Sequence, residues 1–166
     1  MAKKRRKSQA SASPAQTSVS RASAGKLAPI LYGIAALLTL AGLADATYLT
    51  ASHFAGETVT CFGTAGCSDV LGSAFAKLGP VPLAALGVVA YFTAFCAATL
   101  AGFGFRHART ALLWCVGIMF LTTLALLYVQ AFVLHAFCSY CLLSAALTFA
   151  LAGVVIMTPA PASDQS

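Results

Sequence analysis

Four cysteines form two closely spaced pairs, Cys61 with Cys67 and Cys138 with Cys141. The second pair has the spacing C-x-x-C at the start of an almost wholly apolar stretch. In the first turn of a helix, residues three apart lie on the same side, so their sulfurs can form a short disulfide. The unpaired N–H groups and the positive end of such a helix favour the thiolate of the first cysteine. The spacing therefore predicts that Cys138 exchanges disulfides, and that Cys141, one turn deeper, meets a small hydrophobic oxidant in the apolar interior.

The other pair is predicted to lie on a flexible loop. Cys61 and Cys67 are separated by FGTAG, which contains two glycines, so the pair can shuttle between an external protein and the C-x-x-C site. Because thiol exchange proceeds through a mixed disulfide, a mobile pair that feeds a fixed pair forms a workable relay. A static disulfide that braces the loop is the alternative for this pair.

Two further interpretations concern the remaining chemistry of the six cysteines. C-x-x-C together with C-x5-C could supply an all-thiolate zinc site, although zinc ribbons place each pair on a soluble knuckle rather than at the start of a membrane helix. Cys96 and Cys115 have no partner close in sequence, and we interpret them as small apolar packing residues.

Three ionisable residues lie near these pairs in the predicted topology. Asp45 is the one acidic residue inside a predicted membrane span, and either a structural hydrogen bond or a role in proton release near the site would explain it. His135 precedes Cys138 by three residues and would stabilise its thiolate if protonated, or pack at the interface. His53 is expected at the interface as well.

The elements that position these residues are predicted to be membrane helices. The chain is 60% hydrophobic and only 8% charged, whereas soluble domains are about 25% charged. Four apolar segments, residues 28–51, 81–103, 110–134 and 137–157, are each close to the ~20 residues that cross a bilayer as a helix. None alternates with a period of two, so strands are excluded. The expected fold is an all-α membrane four-helix bundle over residues 28–158.

The basic residues are concentrated at the N terminus and set the expected orientation. Seven of the ten Lys and Arg lie within residues 1–27, which we predict to be a disordered cytoplasmic tail, and residues 159–166 form a second short tail. This clustering does not form a face that could follow nucleic-acid phosphates. With Arg106 and Arg109 in the loop between the second and third spans, nine of ten positive charges fall on one side. Both termini are then cytoplasmic, and both cysteine pairs open to the outer face. A signal peptide cleaved after Ala44-Asp45-Ala46 is the alternative for the first span.

Together these motifs resemble bacterial members of the vitamin K epoxide reductase family. The resemblance covers about residues 29–157 and rests on GLADATYLTASH at the end of the first span, on C-x5-C followed by SDVLGSAFAKLGPVPLAALGVVAYF, and on FCSYCLLSA. It implies a four-helix bundle around a quinone, capped by an amphipathic half-helix near residues 68–78. It also implies that Cys61 receives electrons from a thioredoxin-like, DsbA-like partner, that Cys67 passes them to Cys138, and that Cys141 contacts the quinone, a DsbB-like role.

The resemblance also implies where the quinone binds and which quinone it is. The family's vertebrate members carry an Asn and a Tyr that bind vitamin K, and the matching residues here are Leu83 and Ala145. Epoxide chemistry is therefore not expected, and ubiquinone or menaquinone is the expected acceptor. Many bacterial relatives carry a fused thioredoxin domain, whereas this chain stops at Ser166, so we expect a separate partner. The implied quinone contacts are Ser68, Val70, Leu71, Leu83 and Tyr140.

The function predicted from the sequence is that of a membrane thiol-disulfide oxidoreductase that generates disulfides in an extracytoplasmic partner, without a metal or flavin. Two hypotheses of other classes remain open. One is a non-enzymatic membrane scaffold whose cysteines brace the outer loop, and the other is a metal- or thiol-sensing membrane protein.

Overall fold

The computed structural model describes the backbone of residues 14–56, 67–73, 76–78 and 81–158. Its helices are α1 (Pro14–Ala55), α2 (Cys67–Gly72), α3 (Leu83–Gly102), α4 (Arg106–Tyr128) and α5 (Ser139–Met157). A π-helical segment, Val129–Val133, continues α4, and two short strands, β1 (Lys77–Leu78) and β2 (Val81–Pro82), lie between α2 and α3.

Four of the helices are long and apolar enough to cross a membrane, at Leu27–Ala55, Leu83–Gly102, His107–Val133 and Ser139–Met157. The shortest has 19 residues and rises about 28 Å, close to the ~30 Å of a hydrocarbon core. The predicted all-α four-helix membrane bundle is therefore confirmed. Large apolar side chains such as Leu37, Phe92, Trp114 and Ile156 point outward and are exposed, as expected for surfaces that lipid covers.

Small residues bring the helices of this bundle close together. The buried core contains Ala35 on α1 and Ala94, Ala97, Ala98 and Ala101 on α3. Because lipid is as apolar as the core, close backbone approach rather than hydrophobic burial stabilises helix pairs in a membrane. The alanine stripe of α3 thus fixes the position of α1, which carries residues of the candidate site.

The start of α1 differs from the sequence prediction. The helix begins at Pro14, so residues 14–27, predicted to be disordered, are helical, while residues 1–13 lie outside the described residues. Proline is well suited to the first helical position because its missing N–H would be unpaired there. Once the apolar span is helical, extending it backward through Ala, Ser and Arg adds one hydrogen bond for each residue fixed. Residues 159–166 are also outside the described residues.

The segment between α1 and α3 is less helical than expected. The half-helix expected over residues 68–78 begins at Cys67 and ends at Gly72. There Ser73 closes the helix, since its backbone N–H and its hydroxyl both donate to the carbonyl oxygen of Val70, at 3.3 and 2.7 Å. Lys77 and Leu78 lie instead in a strand that pairs antiparallel with Val81–Pro82. The reason is visible in the sequence, because Gly79-Pro80 separates these strands and both residues favour turns.

The end of α4 turns the chain toward α5. The amide of Leu134 donates to the carbonyl of Val129 (2.9 Å), and the amide of Ala136 donates to that of Gln130 (3.2 Å). His135 then has a φ of 47°, a left-handed conformation that is uncommon outside glycine. This irregular stretch places Cys138 immediately before the first turn of α5.

Candidate functional site

Cys138 occupies the N-cap position of α5. Its Sγ accepts a hydrogen bond from the backbone N–H of Cys141 at 3.4 Å. Its own backbone N–H donates to Oε1 of the buried Gln130 at 3.2 Å. Cys138 is therefore held from both sides: the helix that follows binds its sulfur, and the π-helical segment that precedes it binds its backbone.

The structure places Cys138 against Cys67. Their Sγ atoms are 3.6 Å apart, although the residues are 71 positions apart in sequence, and both side chains are buried. Cys67 is disulfide-bonded, whereas Cys138 and Cys141 are free thiols. An oxidised Cys67 thus lies in van der Waals contact with a reduced C-x-x-C pair. Cys61 and its predicted role lie outside the described residues.

The surroundings of Cys138 favour its thiolate. A hydrogen bond with the Cys141 side chain lowers the pKa of Cys138 most, and the backbone N–H groups of Cys141 and Tyr140 lower it further. Burial and the negative charge of Asp45 act in the opposite direction, and the resulting pKa is about 7. Roughly half of the Cys138 thiols are thus ionised at neutral pH. The backbone N–H groups at the start of α5 thus act in the direction predicted from the sequence, and the Cys141 side chain adds the largest effect.

A small apolar cluster encloses the two sulfurs. Cys67, Val70 and Cys138 form its buried centre, and five partly buried residues pack against it: Leu71, Leu134, Ala136, Tyr140 and Cys141. Because this cluster leaves the sulfurs little contact with solvent, exchange between them is shielded from outside thiols.

Cys141 opens onto a cavity inside the bundle. The cavity has a volume of about 390 Å³, within the range of small-molecule sites, and all four spanning helices line it. Cys141 is among its lining residues, whereas Cys67 and Cys138 are not. The two sulfurs of the C-x-x-C pair therefore face different neighbours: Cys138 faces Cys67, and Cys141 faces the cavity.

Three of the five residues expected to contact the quinone line this cavity. Val70, Leu71 and Leu83 do so, as does Ala145, while the Ser68 side chain lies outside the described residues. Tyr140 does not line it. Adjacent residues of a helix point about 100° apart, so Tyr140 turns away from the cavity and packs on Tyr48, with ring centroids 5.4 Å apart.

The polar groups of the cavity were not predicted from the sequence. The Tyr91 hydroxyl lies 2.9 Å from Ser144 Oγ and 3.0 Å from Thr148 Oγ1, and it donates to the Ser144 carbonyl at 3.0 Å. Gln130, which orients Cys138, was missed as well. The sequence contained two indications of these groups. Ser144 and Thr148 lie four residues apart on an apolar helix, and Gln130 is a single amide side chain near the end of another.

The remaining cysteines and the histidines lie outside this arrangement. Cys96 and Cys115 are half-buried free thiols, and Cys115 Sγ lies 3.6 Å from the carbonyl oxygen of Ala90. His135 is exposed and is not among the groups that shift the pKa of Cys138, so a stabilising effect on the thiolate is not supported. His53 lines the cavity.

Asp45 is half-buried on α1. Its Oδ2 atom is inaccessible to solvent and has no hydrogen-bond partner among the described residues. Within the part of the chain that the structure describes, the structural hydrogen bond considered for this residue is therefore absent at that oxygen.

The family model described as the vitamin K epoxide reductase family matches residues 33–156. The matched region includes all four cysteines of the two pairs and nearly all of the four spans. No curated protein matches the chain.

Proposed function

The chain belongs to the vitamin K epoxide reductase family, and on this premise we propose that it generates disulfide bonds in a separate partner and passes the electrons to a membrane quinone. Family membership makes it a membrane thiol-disulfide oxidoreductase with several membrane spans. The observation that carries the more specific proposal is the pair of contacts made by the C-x-x-C cysteines: Cys138 Sγ is 3.6 Å from Cys67 Sγ, and Cys141 lines an apolar cavity.

The relay begins with the loop pair. A thioredoxin-like, DsbA-like partner in its dithiol form attacks the Cys61–Cys67 disulfide, leaves oxidised, and releases two thiols on the loop. The proposed location is the outer face of a bacterial cytoplasmic membrane, with both termini cytoplasmic, because that compartment keeps thiols oxidised and because nine of ten positive charges then lie inside.

The second step joins the two pairs. The Cys67 thiolate attacks Cys138 of the Cys138–Cys141 disulfide, and Cys141 leaves as its thiol. Cys61 then attacks Cys67, which re-forms the loop disulfide and releases Cys138. A pKa of about 7 makes Cys138 a good leaving group, because a thiol of lower pKa departs faster.

The third step delivers electrons to the acceptor. The dithiol of Cys138 and Cys141 returns to the disulfide and gives two electrons to the quinone, which becomes quinol with two protons. Leu83 and Ala145 offer the acceptor apolar contact only, in accord with ubiquinone or menaquinone rather than an epoxide. The cavity volume of about 390 Å³ accommodates a quinone ring.

The proposal is tested by quinone reduction with purified protein, a dithiol partner and a soluble quinone. Cys138→Ala and Cys141→Ala should each abolish turnover, because each removes one sulfur of the pair that gives up the electrons. Cys96→Ala and Cys115→Ala are the matched controls in the same bundle and should keep wild-type turnover. If Cys138→Ala or Cys141→Ala also keeps it, the relay is wrong, and cysteines that only brace the loop become the better account.

A further inference from the structure

We propose that Gln130 binds the quinone: its Nε2 group donates a hydrogen bond to one carbonyl oxygen of the ring, while its Oε1 atom holds Cys138. This inference rests on the proposed function and names the residue that orients the acceptor. Gln130 lines the same cavity as Cys141 and is only 4% exposed. One buried amide thus lies between the cavity and the N-cap of α5.

The contact with Cys138 determines which way this amide points. The backbone N–H of Cys138 can only donate, and it lies 3.2 Å from Oε1 of Gln130. The amide therefore presents its oxygen to Cys138, and Nε2 with its two N–H donors lies on the other side of the group. Nε2 has no hydrogen-bond acceptor among the described residues.

A donor in this position needs an acceptor. Gln130 belongs to the span His107–Val133, where the hydrocarbon core supplies no water to take the place of a missing partner. A buried N–H group without an acceptor costs free energy that one hydrogen bond to a ligand recovers. The occupant of the cavity should therefore carry an acceptor oxygen on an otherwise apolar body. A quinone ring has this chemistry.

Most of the other polar side chains that line the cavity already have an acceptor. The hydroxyls of Ser73, Thr122 and Thr148 each donate to a backbone carbonyl three or four residues earlier, at 2.7, 2.9 and 3.0 Å. The Tyr91 hydroxyl donates to the carbonyl oxygen of Ser144 at 3.0 Å. These four protons are not available to a ligand unless a bond within the protein breaks.

Three other donors on the cavity wall compete with Gln130. They are the ring of His53 and the hydroxyls of Thr123 and Ser144. All three side chains are half-buried, so a donor without a partner costs less there than at Gln130. Of these four residues, Gln130 is the one that is buried and that a bond to Cys138 holds in a single orientation.

The position of Gln130 also suits the acceptor's contact with Cys141. Gln130 bonds to the backbone N–H of Cys138, and the backbone N–H of Cys141 donates to Cys138 Sγ at 3.4 Å. Gln130 and Cys141 thus flank Cys138, and both line the cavity. A carbonyl oxygen bound to Nε2 therefore lies at the end of the cavity where Cys141 is found.

The experiment compares the binding of two ligands to the purified protein in detergent: a soluble naphthoquinone, and a naphthalene of the same shape without oxygen atoms. We expect Gln130→Met, which keeps the length of the side chain, to weaken naphthoquinone binding about tenfold, the contribution of one hydrogen bond. Its affinity for the naphthalene should not change. Thr39→Val is the matched control, since Thr39 is buried and bonds only to carbonyls of its own helix.

Infrared spectroscopy of the bound naphthoquinone reports the hydrogen bond itself. One carbonyl band should lie at lower frequency in the wild-type protein than in detergent, and it should return to the detergent value in Gln130→Met. His53→Phe, Thr123→Val and Ser144→Ala should keep the lowered band, and this result supports the inference even if Gln130→Met does not fold.

Three results would overturn the inference and leave the relay intact. They are a wild-type spectrum without a lowered band, loss of that band in one of the three competitor variants, and an equal loss of affinity for both ligands in Gln130→Met, which indicates a structural role. A wild-type protein that does not bind the naphthoquinone would instead overturn the proposed function, and this inference with it.

Discussion

At the scale of single residues, the C-x-x-C pair is asymmetric. Cys138 receives hydrogen bonds from the start of α5 and contacts Cys67, whereas Cys141 faces the cavity. In the proposed relay, this division of contacts gives each sulfur a separate role: Cys138 exchanges with protein thiols and Cys141 meets the acceptor. Gln130 supports the division, because its side chain fixes the backbone of Cys138.

The asymmetry predicts how Cys138 titrates. Its ordinary pKa of 9.0 is lowered to about 7, so in the reduced protein its thiolate should form with a midpoint near pH 7 and be lost as the pH falls below it. The thiolate's ultraviolet absorbance, measured as the difference between the wild-type protein and Cys138→Ser, reports this midpoint. A difference spectrum whose midpoint stays near pH 9 would show that the helix end and Cys141 do not stabilise the thiolate.

Only some of the contacts of single residues could be predicted from the sequence. The sequence predicted that Cys67 and Cys138 lie at the same membrane face, because this follows from the order of the spans. The C-x-x-C spacing predicted that Cys138 lies at the start of α5. Tyr140, expected to contact the quinone, is not among the residues that line the cavity, since one residue of difference in a helix changes the direction of a side chain by about 100°. The contacts of Tyr91 and Gln130 depend on how helices pack, which hydropathy does not encode.

At the scale of elements, α1 and α3 approach each other closely. Gly42 of α1 lies against Tyr91 of α3, and a Cβ atom at Gly42 would overlap the aromatic ring. The ring in turn reaches Ser144 and Thr148 on α5. One glycine therefore permits a contact that joins three of the four spanning helices.

Because of this contact, we expect one added methyl group at Gly42 to lower the stability of the protein. Gly42→Ala should lower the free energy of unfolding by about 1–3 kcal/mol, because the Tyr91 ring is held by its hydrogen bonds and cannot shift freely. Gly33→Ala on the same helix is the control, since no atom lies within 4 Å of the position its Cβ would take. Thermal unfolding in detergent compares the two variants, and an equal effect of both substitutions would contradict the packing described.

The elements were predictable to different degrees. The four spans follow from apolar length and were placed within a few residues of their observed ends. The helical extension of α1 to Pro14 and the short α2 were not foreseen. Polar composition suggests disorder even where a helix continues from a span, and the helix that the family resemblance had implied over residues 68–78 ends at Gly72.

At the scale of the whole molecule, four helices surround a cavity whose wall carries Cys141, and the short helix α2 places Cys67 against Cys138. In the proposed relay, a single helical turn separates exchange with protein thiols from contact with the acceptor. By this proposal, a membrane fold of four spans joins a dithiol substrate on one side of the membrane to a lipid-soluble acceptor within it.

The most direct test of this account is disulfide mapping by mass spectrometry in a Cys61→Ala/Cys141→Ala double variant after mild oxidation. With their other partners removed, Cys67 and Cys138 should form a disulfide with each other in most of the folded protein, since their sulfurs are 3.6 Å apart. The same linkage should be lost when Cys138→Ala is added. Recovery of both cysteines as free thiols, or their labelling from opposite sides of the membrane, would contradict the relay.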